Sequence, residues 1–478
     1  MKNKRAKIVF AAIGTILFTL TACSFTEKNH GLSAKNPQEI VVWNYYNGTQ
    51  EVAFENMVNE FNSTVGMEKG IIVNTRSKSS INELADALMA SVNEEVGADD
   101  LPDIVQGYKD TIIELENRDL LVNLDDYISK EYKESFVSEY IEDANLGKDK
   151  EWKLFPIAKS TEVITLNKQK WDAFSKDTGA ALSDLSTWEG LAETAGKYYE
   201  WSGEKAFFGR DAFSNYMKIG SDQLGHPICA LQEDGTVKIQ TDEETLRKLW
   251  NNYYVPYIKG YYSHIGKYRT DDIKLGKIIA GINSTTGCAY FPDEVSYEDE
   301  EPYAIDCIVL PVPNFTGTQP EVVQQGADMA VVKGTEKEEY ASVVFLEWFT
   351  EADRNIEFAI QTGYLPVKSE KNTERSIEEQ LDETQTDLGK IDRAVLTTAV
   401  KELTTYKMYL TPEFNGSYNI RNVLETSMID RAKEDYEAIQ TKIREGNKRD
   451  EVLADYLSDE SFKSWFHEFK DQLAEAMK

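Results

Sequence analysis

The chain alternates short apolar runs with longer stretches whose apolar residues recur every three or four positions. Glu39-Ile40-Val41-Val42-Trp43 is the first such run and predicts a buried parallel strand. Residues 44–49 follow as a polar, aromatic loop, and Phe54, Met57, Val58 and Phe61 then fall on one face of a helix. Residues 71–74 predict a second strand. Ser80 and Glu83 have the spacing of a capping box ahead of Ile81, Leu84, Ala85, Leu88 and Val92. Pro102-Asp103-Ile104-Val105 predicts a third strand, which ends in the polar residues 106–110. Strands alternating with helices imply an α/β sheet, where ligands bind at the carboxyl ends of strands. Residues 44–49 and 106–110 are therefore the first candidate site loops.

Residues 155–167 are strand-like, and a helix-rich region with Trp171, Trp188, Trp201, Phe207, Phe208 and Tyr216 then runs to about residue 262. Ile278-Ile279-Ala280-Gly281-Ile282 leads into a turn of small and hydroxyl residues, Asn283-Ser284-Thr285-Thr286-Gly287. Residues 303–312 and 325–332 predict two more strands. Helices follow around residues 338–349 and 351–361, and Gly363 stops the second. Residues 377–478 are mostly helical in pattern, with Ala432, Tyr436, Ile439 and Ile443 on one stripe.

Composition adds limits. Hydrophobic residues are 41% and aromatics 11% of 478 residues, a globular balance with mass for two domains. The formal net charge of −31 argues against nucleic-acid binding, which needs basic patches, and against lying flat on an anionic membrane. The acidic residues 293–301 read as a solvated loop, because their spacing matches no cation-binding loop. Cys229, Cys288 and Cys307 show no CxxC spacing. They read as buried free thiols, with one bridge among them left open. The histidines His30, His226, His264 and His467 are scattered, so neither a metal nor any other cofactor is expected. No P-loop, G-x-S-x-G or H-E-x-x-H motif accompanies the acidic residues, so no enzyme is expected.

The amino terminus has its own pattern. Lys2, Lys4, Arg5 and Lys7 precede an apolar run over residues 8–20, which ends in Leu20-Thr21-Ala22-Cys23. The run is shorter than the roughly 20 residues a spanning helix needs. It resembles a bacterial lipoprotein signal. That resemblance implies cleavage after residue 22, lipidation of Cys23, and a protein held outside the cytoplasmic membrane. Residues 23–37 then read as a polar tether.

The segments together resemble the family-1 extracellular solute-binding proteins of bacterial ABC importers, the group with the maltose- and glycerol-3-phosphate-binding proteins. Ile40-Val41-Val42-Trp43 with Glu60-Phe61-Asn62, then Leu101-Pro102-Asp103-Ile104-Val105 and Leu120-Leu121-Val122-Asn123-Leu124, match its opening landmarks. Phe155-Pro156-Ile157-Ala158-Lys159-Ser160-Thr161 resembles its crossing between lobes. Residues 276–287 resemble its small-residue turn, and Thr362-Gly363-Tyr364-Leu365-Pro366-Val367 is the most specific match. The resemblance implies a two-lobed, periplasmic-binding-protein-like α/β fold of type II, each lobe a sheet flanked by helices. Lobe one would take residues 38–158 and 324–368, lobe two residues 159–323 and 369–478. It also implies a small-molecule ligand in the cleft between lobes, hinge closure, delivery to the transmembrane subunits of an ABC permease, and a monomer.

Ligand-binding candidates follow. Tyr45, Tyr46 and Asn47 end the first strand, and Tyr108 and Asp110 the third. Flat aromatic faces and side-chain acceptors suit the C–H faces and hydroxyls of a sugar. Surface packing for the tyrosines and a helix cap for Asp110 are the plain alternatives. Ser160 and Thr161 lie at the crossing, and Ser284, Thr285 and Thr286 form a hydroxyl-rich turn or a helix cap. Gln325 and Gly326 lie on the return strand, and Tyr364 sits in the Thr-Gly-Tyr-Leu-Pro motif. Arg210 and Tyr216, with Trp201 and Asp211, are second-lobe candidates. Tyr418 and Arg421 precede or open the last long helix, where Arg421 would suit a phosphate. The ligand read from this set is a mono- or oligosaccharide. Glycerol 3-phosphate or a related diester is the alternative within the fold, and a secreted carbohydrate-active enzyme or a solute sensor the alternatives outside it.

Overall fold

Two strand-rich stretches organise the chain in the computed structural model, which describes residues 30–478 except 148, 233–235, 297–300, 327, 384–389 and 413. Nine strands build the two main sheets. They are β1 (Gln38–Asn44), β2 (Ile71–Ser77), β3 (Ile104–Gly107), β4 (Leu154–Phe155), β5 (Glu162–Asn167), β6 (Phe208–Arg210), β7 (Ala280–Ser284), β8 (Cys307–Leu310) and β9 (Asp328–Val331). The first sheet runs β2–β1–β3–β9–β4 and the second β8–β5–β7–β6. β1 pairs in parallel with β2 and β3, and the late strand β9 inserts antiparallel between β3 and β4.

The apolar runs become strands because they are covered. Ile40, Val42 and Trp43 are buried under α1 (Gly48–Ser63) and its neighbours, with Phe54, Met57, Val58 and Phe61 on the inward face of that helix. Phe61 meets the rings of Phe345 and Trp348 edge-on at 5.1 and 5.2 Å, and each such buried aromatic contributes about 1.5–3 kcal/mol. The first core draws on residues 32–158 and 329–367, the second mainly on residues 164–315 and 420–473. A third core straddles them, joining Val163, Cys288 and Val322 to Ile356, Leu365 and the helix Lys390–Thr405. Each sheet with its helices is thus a lobe.

Several expected elements differ in detail. The strand expected over residues 155–167 is two strands in different sheets, because residues 156–161 cross between lobes. The turn expected at residues 283–287 is the end of β7 followed by a short helix, Thr285–Cys288, whose first turn Ser284 caps through Gly287 N–H at 3.0 Å. Ser80 caps α2 (Ile81–Val92), accepting from Glu83 N–H, which is the forward half of the expected box. The packed chain begins inside the segment read as a tether: Leu32 is buried in the first core, and His30 packs on Tyr340. Cys229, Cys288 and Cys307 are free thiols. The signal-like segment and Cys23 lie outside the described residues, as do residues 297–300 of the acidic stretch.

The crossings between lobes are tied by backbone. Lys159 pairs with Leu365 and Ser160 with Gln325, the latter by reciprocal hydrogen bonds of 2.9 and 2.8 Å. Gly326 has φ +104°, and a Cβ there would stand 2.5 Å from the Ala158 carbonyl oxygen, so the crossing needs glycine at this point. Beneath it Lys159 Nζ and Asp328 Oδ2 form an ion pair of 2.7 Å, both side chains buried.

Candidate functional site

The carboxyl ends of β1, β3 (which leads into α3, Lys109–Glu116) and the first-lobe crossing face α4 (Phe213–Gln223) and α5 (Ser417–Arg444) of the second lobe across a cleft. β1 ends at Asn44, whose Oδ1 accepts from Tyr46 N–H at 3.0 Å and turns the chain. The two tyrosines after it lie side by side, ring centres 5.6 Å apart, but differ in burial. Tyr46 is fully buried against Phe54 and Phe358, at 5.2 and 5.9 Å between ring centres, and is a core residue. Tyr45 is half-buried, and its hydroxyl lies 3.1 Å from that of Tyr364. Asn47 is exposed and donates to the Ser79 carbonyl, holding the loop.

Tyr364 follows Gly363, which ends the helix Ala352–Thr362 in the left-handed region. A Cβ on Gly363 would stand 3.1 Å from Thr286 Cα, so the second-lobe turn packs directly on this motif. Burial raises the Tyr364 hydroxyl well above its ordinary pKa, and nearby Tyr46, Tyr108 and Tyr290 push the same way. Tyr290, an exposed second-lobe residue, reaches toward Gly48: a Cβ there would lie 3.7 Å from its hydroxyl. Tyr45, Tyr108, Tyr290 and Tyr364 therefore form one aromatic group at the lobe junction.

Beyond Tyr108 the cleft opens into a polar chamber of about 500 Å³, which adjoins a second of about 610 Å³ through Lys109, Asp143 and Thr411. Both volumes are ordinary for small-molecule sites. Asp110 lies in the first turn of the helix Lys109–Glu116 and spans the cleft to Arg421 Nε at 2.5 Å. The Arg421 guanidinium also stands 5.1 and 5.6 Å from the rings of Tyr418 and Tyr108. Glu425, one turn further along α5, accepts from Phe213 and Ser214 N–H at 2.9 and 2.8 Å and so occupies the amino end of α4. Lys109 pairs with Asp143 at 3.6 Å, and Gln324 donates to Asp143 Oδ2 at 3.0 Å. Asp143 Oδ1, Gln324 Oε1 and Asp328 Oδ1 line the chamber as buried acceptors without a hydrogen bond among the described residues. Such acceptors call for donors from a guest or from water.

The sequence candidates therefore separate. Tyr108, Asp110, Gln325, Gly326 and Arg421 line the chamber. Tyr45 and Tyr364 lie in the adjoining aromatic group, and Tyr418 stacks near Arg421. Ser160 acts through its backbone at the crossing, and Thr161 is buried, donating to the Val323 carbonyl at 2.7 Å. Ser284 and Thr286 bond to each other at 3.0 Å, and Thr285 is buried. Arg210 is buried in a bidentate pair with Glu162, 2.8 Å to each oxygen. Tyr216 is in the second core, its hydroxyl donating to the Leu249 carbonyl. Asp211 accepts from Arg269, and burial lifts its carboxyl to about 6. Trp201 packs on Phe174 and Tyr198. Sequence reasoning missed Lys218, Asn215, Gln324, Tyr290 and Glu425. Ser214, Asn215, Lys218 and Ser221 are polar on α4, a helix buried on nearly every side, and that burial is visible only in the structure.

Among the described residues no cluster of three or more His, Cys, Asp or Glu is arranged to hold a metal ion, and no helix is long and apolar enough to cross a membrane. The model of the bacterial extracellular solute-binding protein family matches residues 56–380, more than half of the chain. No match to a curated protein is found. Among solved structures, the cyclic α-maltosyl-1,6-maltose binding protein of Arthrobacter globiformis is similar with a TM-score of 0.66 at 15% identity, covering 93% of this chain and 100% of that one. The glycerophosphocholine complex of UgpB from Mycobacterium tuberculosis gives 0.63 at 18% identity, over 86% and 98% of the two chains. An ABC substrate-binding protein of Listeria monocytogenes in complex with cycloalternan gives 0.63 at 16% identity, over 92% and 100%. These likenesses establish the two-lobed α/β fold.

Proposed function

This chain belongs to the bacterial extracellular solute-binding proteins, and we propose that it captures a saccharide in the interlobe cleft for delivery to the membrane subunits of an ABC importer. The observation that carries this reading is the chamber beside the tyrosine group. It sets the Tyr108 ring in its wall beside buried acceptors, Gln324 Oε1 and Asp328 Oδ1, that make no hydrogen bond with a described residue. Sugar hydroxyls donate to such acceptors, and sugar C–H faces pack on rings. The second chamber gives room for more than one sugar unit. Closing the lobes would bury the ligand between elements that already touch at Asp110–Arg421. The lipobox-like Leu20-Thr21-Ala22-Cys23 supports attachment at Cys23 to the outer face of the cytoplasmic membrane. Such an anchor holds the receptor near its permease at high local concentration.

Binding without chemistry is part of the proposal, and release of reducing sugar by the purified protein would refute that part. Uptake of glycerol 3-phosphate or a glycerophosphodiester is the second reading, favoured by Arg421 in the chamber wall. A thermal-shift screen tests the choice, because a ligand bound only to the native state raises the melting temperature. A rise with mono- or oligosaccharides is the expected result. A rise with glycerol 3-phosphate and none with any saccharide would overturn the sugar assignment.

A further inference from the structure

Lys218 is buried, 8% exposed, on the inner face of α4, and it lines the interlobe chamber. Its ammonium has no hydrogen-bond or ion-pair partner among the described residues, although Asp110 and Glu425 are close enough to act on it electrostatically. Both of those carboxylates are already engaged. Asp110 Oδ2 takes Arg421 Nε, and its Oδ1 takes the Thr111 hydroxyl at 3.2 Å. Glu425 spends both oxygens on Phe213 and Ser214 N–H at the start of α4. The other cleft lysines differ: Lys109 has Asp143, Lys159 has Asp328, and Lys267 at the chamber's edge is exposed to solvent. A buried cation is costly unless an anion pairs with it, and here the protein commits its nearby anions elsewhere. Burial lowers the Lys218 pKa, consistent with a charge that lacks compensation in the free protein.

We propose that Lys218 is the receptor for an anionic group on the ligand, a compact oxyanion such as a uronate carboxylate or a phosphate, so that the solute is an acidic saccharide or a phosphorylated polyol. The inference rests on the interlobe cleft being the solute site. Lys218 projects into the chamber from one wall, with Gln325 and the unsatisfied Asp328 Oδ1 on the other. An oxyanion on the α4 side would accept from Lys218, while neutral hydroxyls elsewhere on the same molecule donate to Gln324 and Asp328. Arg421 adds a second positive charge to the α4 side, but its Nε is committed to Asp110. With the Arg421 charge offset by Asp110 and Lys267 exposed at the chamber's edge, Lys218 is the buried cation left to tell an acidic ligand from a neutral one.

The test is calorimetric titration of the purified protein with three probes: a glucuronic acid-containing disaccharide, its neutral glucose counterpart, and glycerol 3-phosphate. The wild type is expected to bind one of the acidic probes at least about 10-fold more tightly than the neutral disaccharide, the size of a charge-assisted contact. In Lys218→Met that preference should fall to about one, and in Lys218→Arg it should be largely retained. The melting temperature of free Lys218→Met should match or exceed that of the wild type, since an unpaired buried charge is removed; Lys218→Gln serves if the Met variant does not fold. Equal wild-type affinity for acidic and neutral disaccharides, without binding of glycerol 3-phosphate, would overturn the inference and leave the saccharide proposal standing. So would an acidic preference that survives in Lys218→Met. Binding of glycerol 3-phosphate alone, lost in Lys218→Met, would uphold the anion receptor and overturn the saccharide proposal. Binding of none of the three would overturn both.

Discussion

The wall of the cleft built by β1, β3 and the first-lobe crossing presents side chains from strand ends, whereas the opposite wall presents them from two long helices, α4 and α5. The strand-end wall closes its own charges: Lys159 with Asp328, Lys109 with Asp143. The helical wall sends Arg421 across to Asp110, spends Glu425 on backbone N–H groups and leaves Lys218 without a partner. The difference teaches that the strand-end wall balances its charges and leaves only acceptor oxygens open, while the helical wall leaves a charge that only something between the lobes can balance. Charge pairing, more than hydrophobicity, separates the part of the cleft that holds the lobes from the part that receives a guest.

Breaking the finished wall should have the largest effect. Lys159→Ala would leave Asp328 buried and unpaired at the crossing and is expected to cost about 3–5 kcal/mol in urea unfolding. A loss under about 1 kcal/mol would mean that the two walls do not differ as described. Tyr45→Ala should sharpen the contrast from the ligand side: a weaker affinity by about tenfold, the worth of a good aromatic contact, with little change in stability. Tyr45 is the cleaner probe of the aromatic group, because Tyr364 is buried and its truncation would disturb the first core. Tyr364→Phe keeps the ring and removes only the 3.1 Å hydroxyl contact, and should cost about 0.5–1.5 kcal/mol by thermal denaturation.

A pH slope is expected from Glu321 beside the second chamber. Burial raises its carboxyl to about 7, with Lys407 opposing and Asp222 adding to the rise. The native state then holds a proton that the unfolded chain releases near its ordinary 4.5. This contribution to stability is full below about pH 4.5 and declines as pH rises to about 7. Urea midpoints should therefore fall less steeply between pH 5 and 7.5 in Glu321→Gln than in the wild type. Parallel slopes would remove Glu321 as their source.

The two walls also differ in how far the sequence exposes them. Strand ends announce themselves: the apolar run of residues 40–43 and the turn that follows point to Tyr45 as a site residue. What the run does not say is which of two adjacent tyrosines faces the cleft. The chain turns at Asn44 and the two rings stay 5.6 Å apart, and only packing against Phe54 and Phe358 decides that Tyr46 is the buried one. Arg210 illustrates the converse error. It reads as a site cation, yet Glu162 on β5, one strand beyond β7 in the same sheet, absorbs it, a partner 48 positions away. Lys218 and Glu425 were hidden because a polar residue on an amphipathic helix ordinarily faces solvent. The burial of α4 on nearly every side comes from tertiary packing that no local pattern encodes.

The insertion of β9 between β3 and β4 has a consequence for how the protein is made. The first sheet cannot close until residues 328–331 have been synthesised, although most of its strands precede residue 156. Until then β3 carries an open hydrogen-bonding edge, a template for pairing with another chain. Pairing across so long a separation is slow. The late strand thus keeps the first lobe from locking shut until residues 159–323, which supply the second sheet, have already been made.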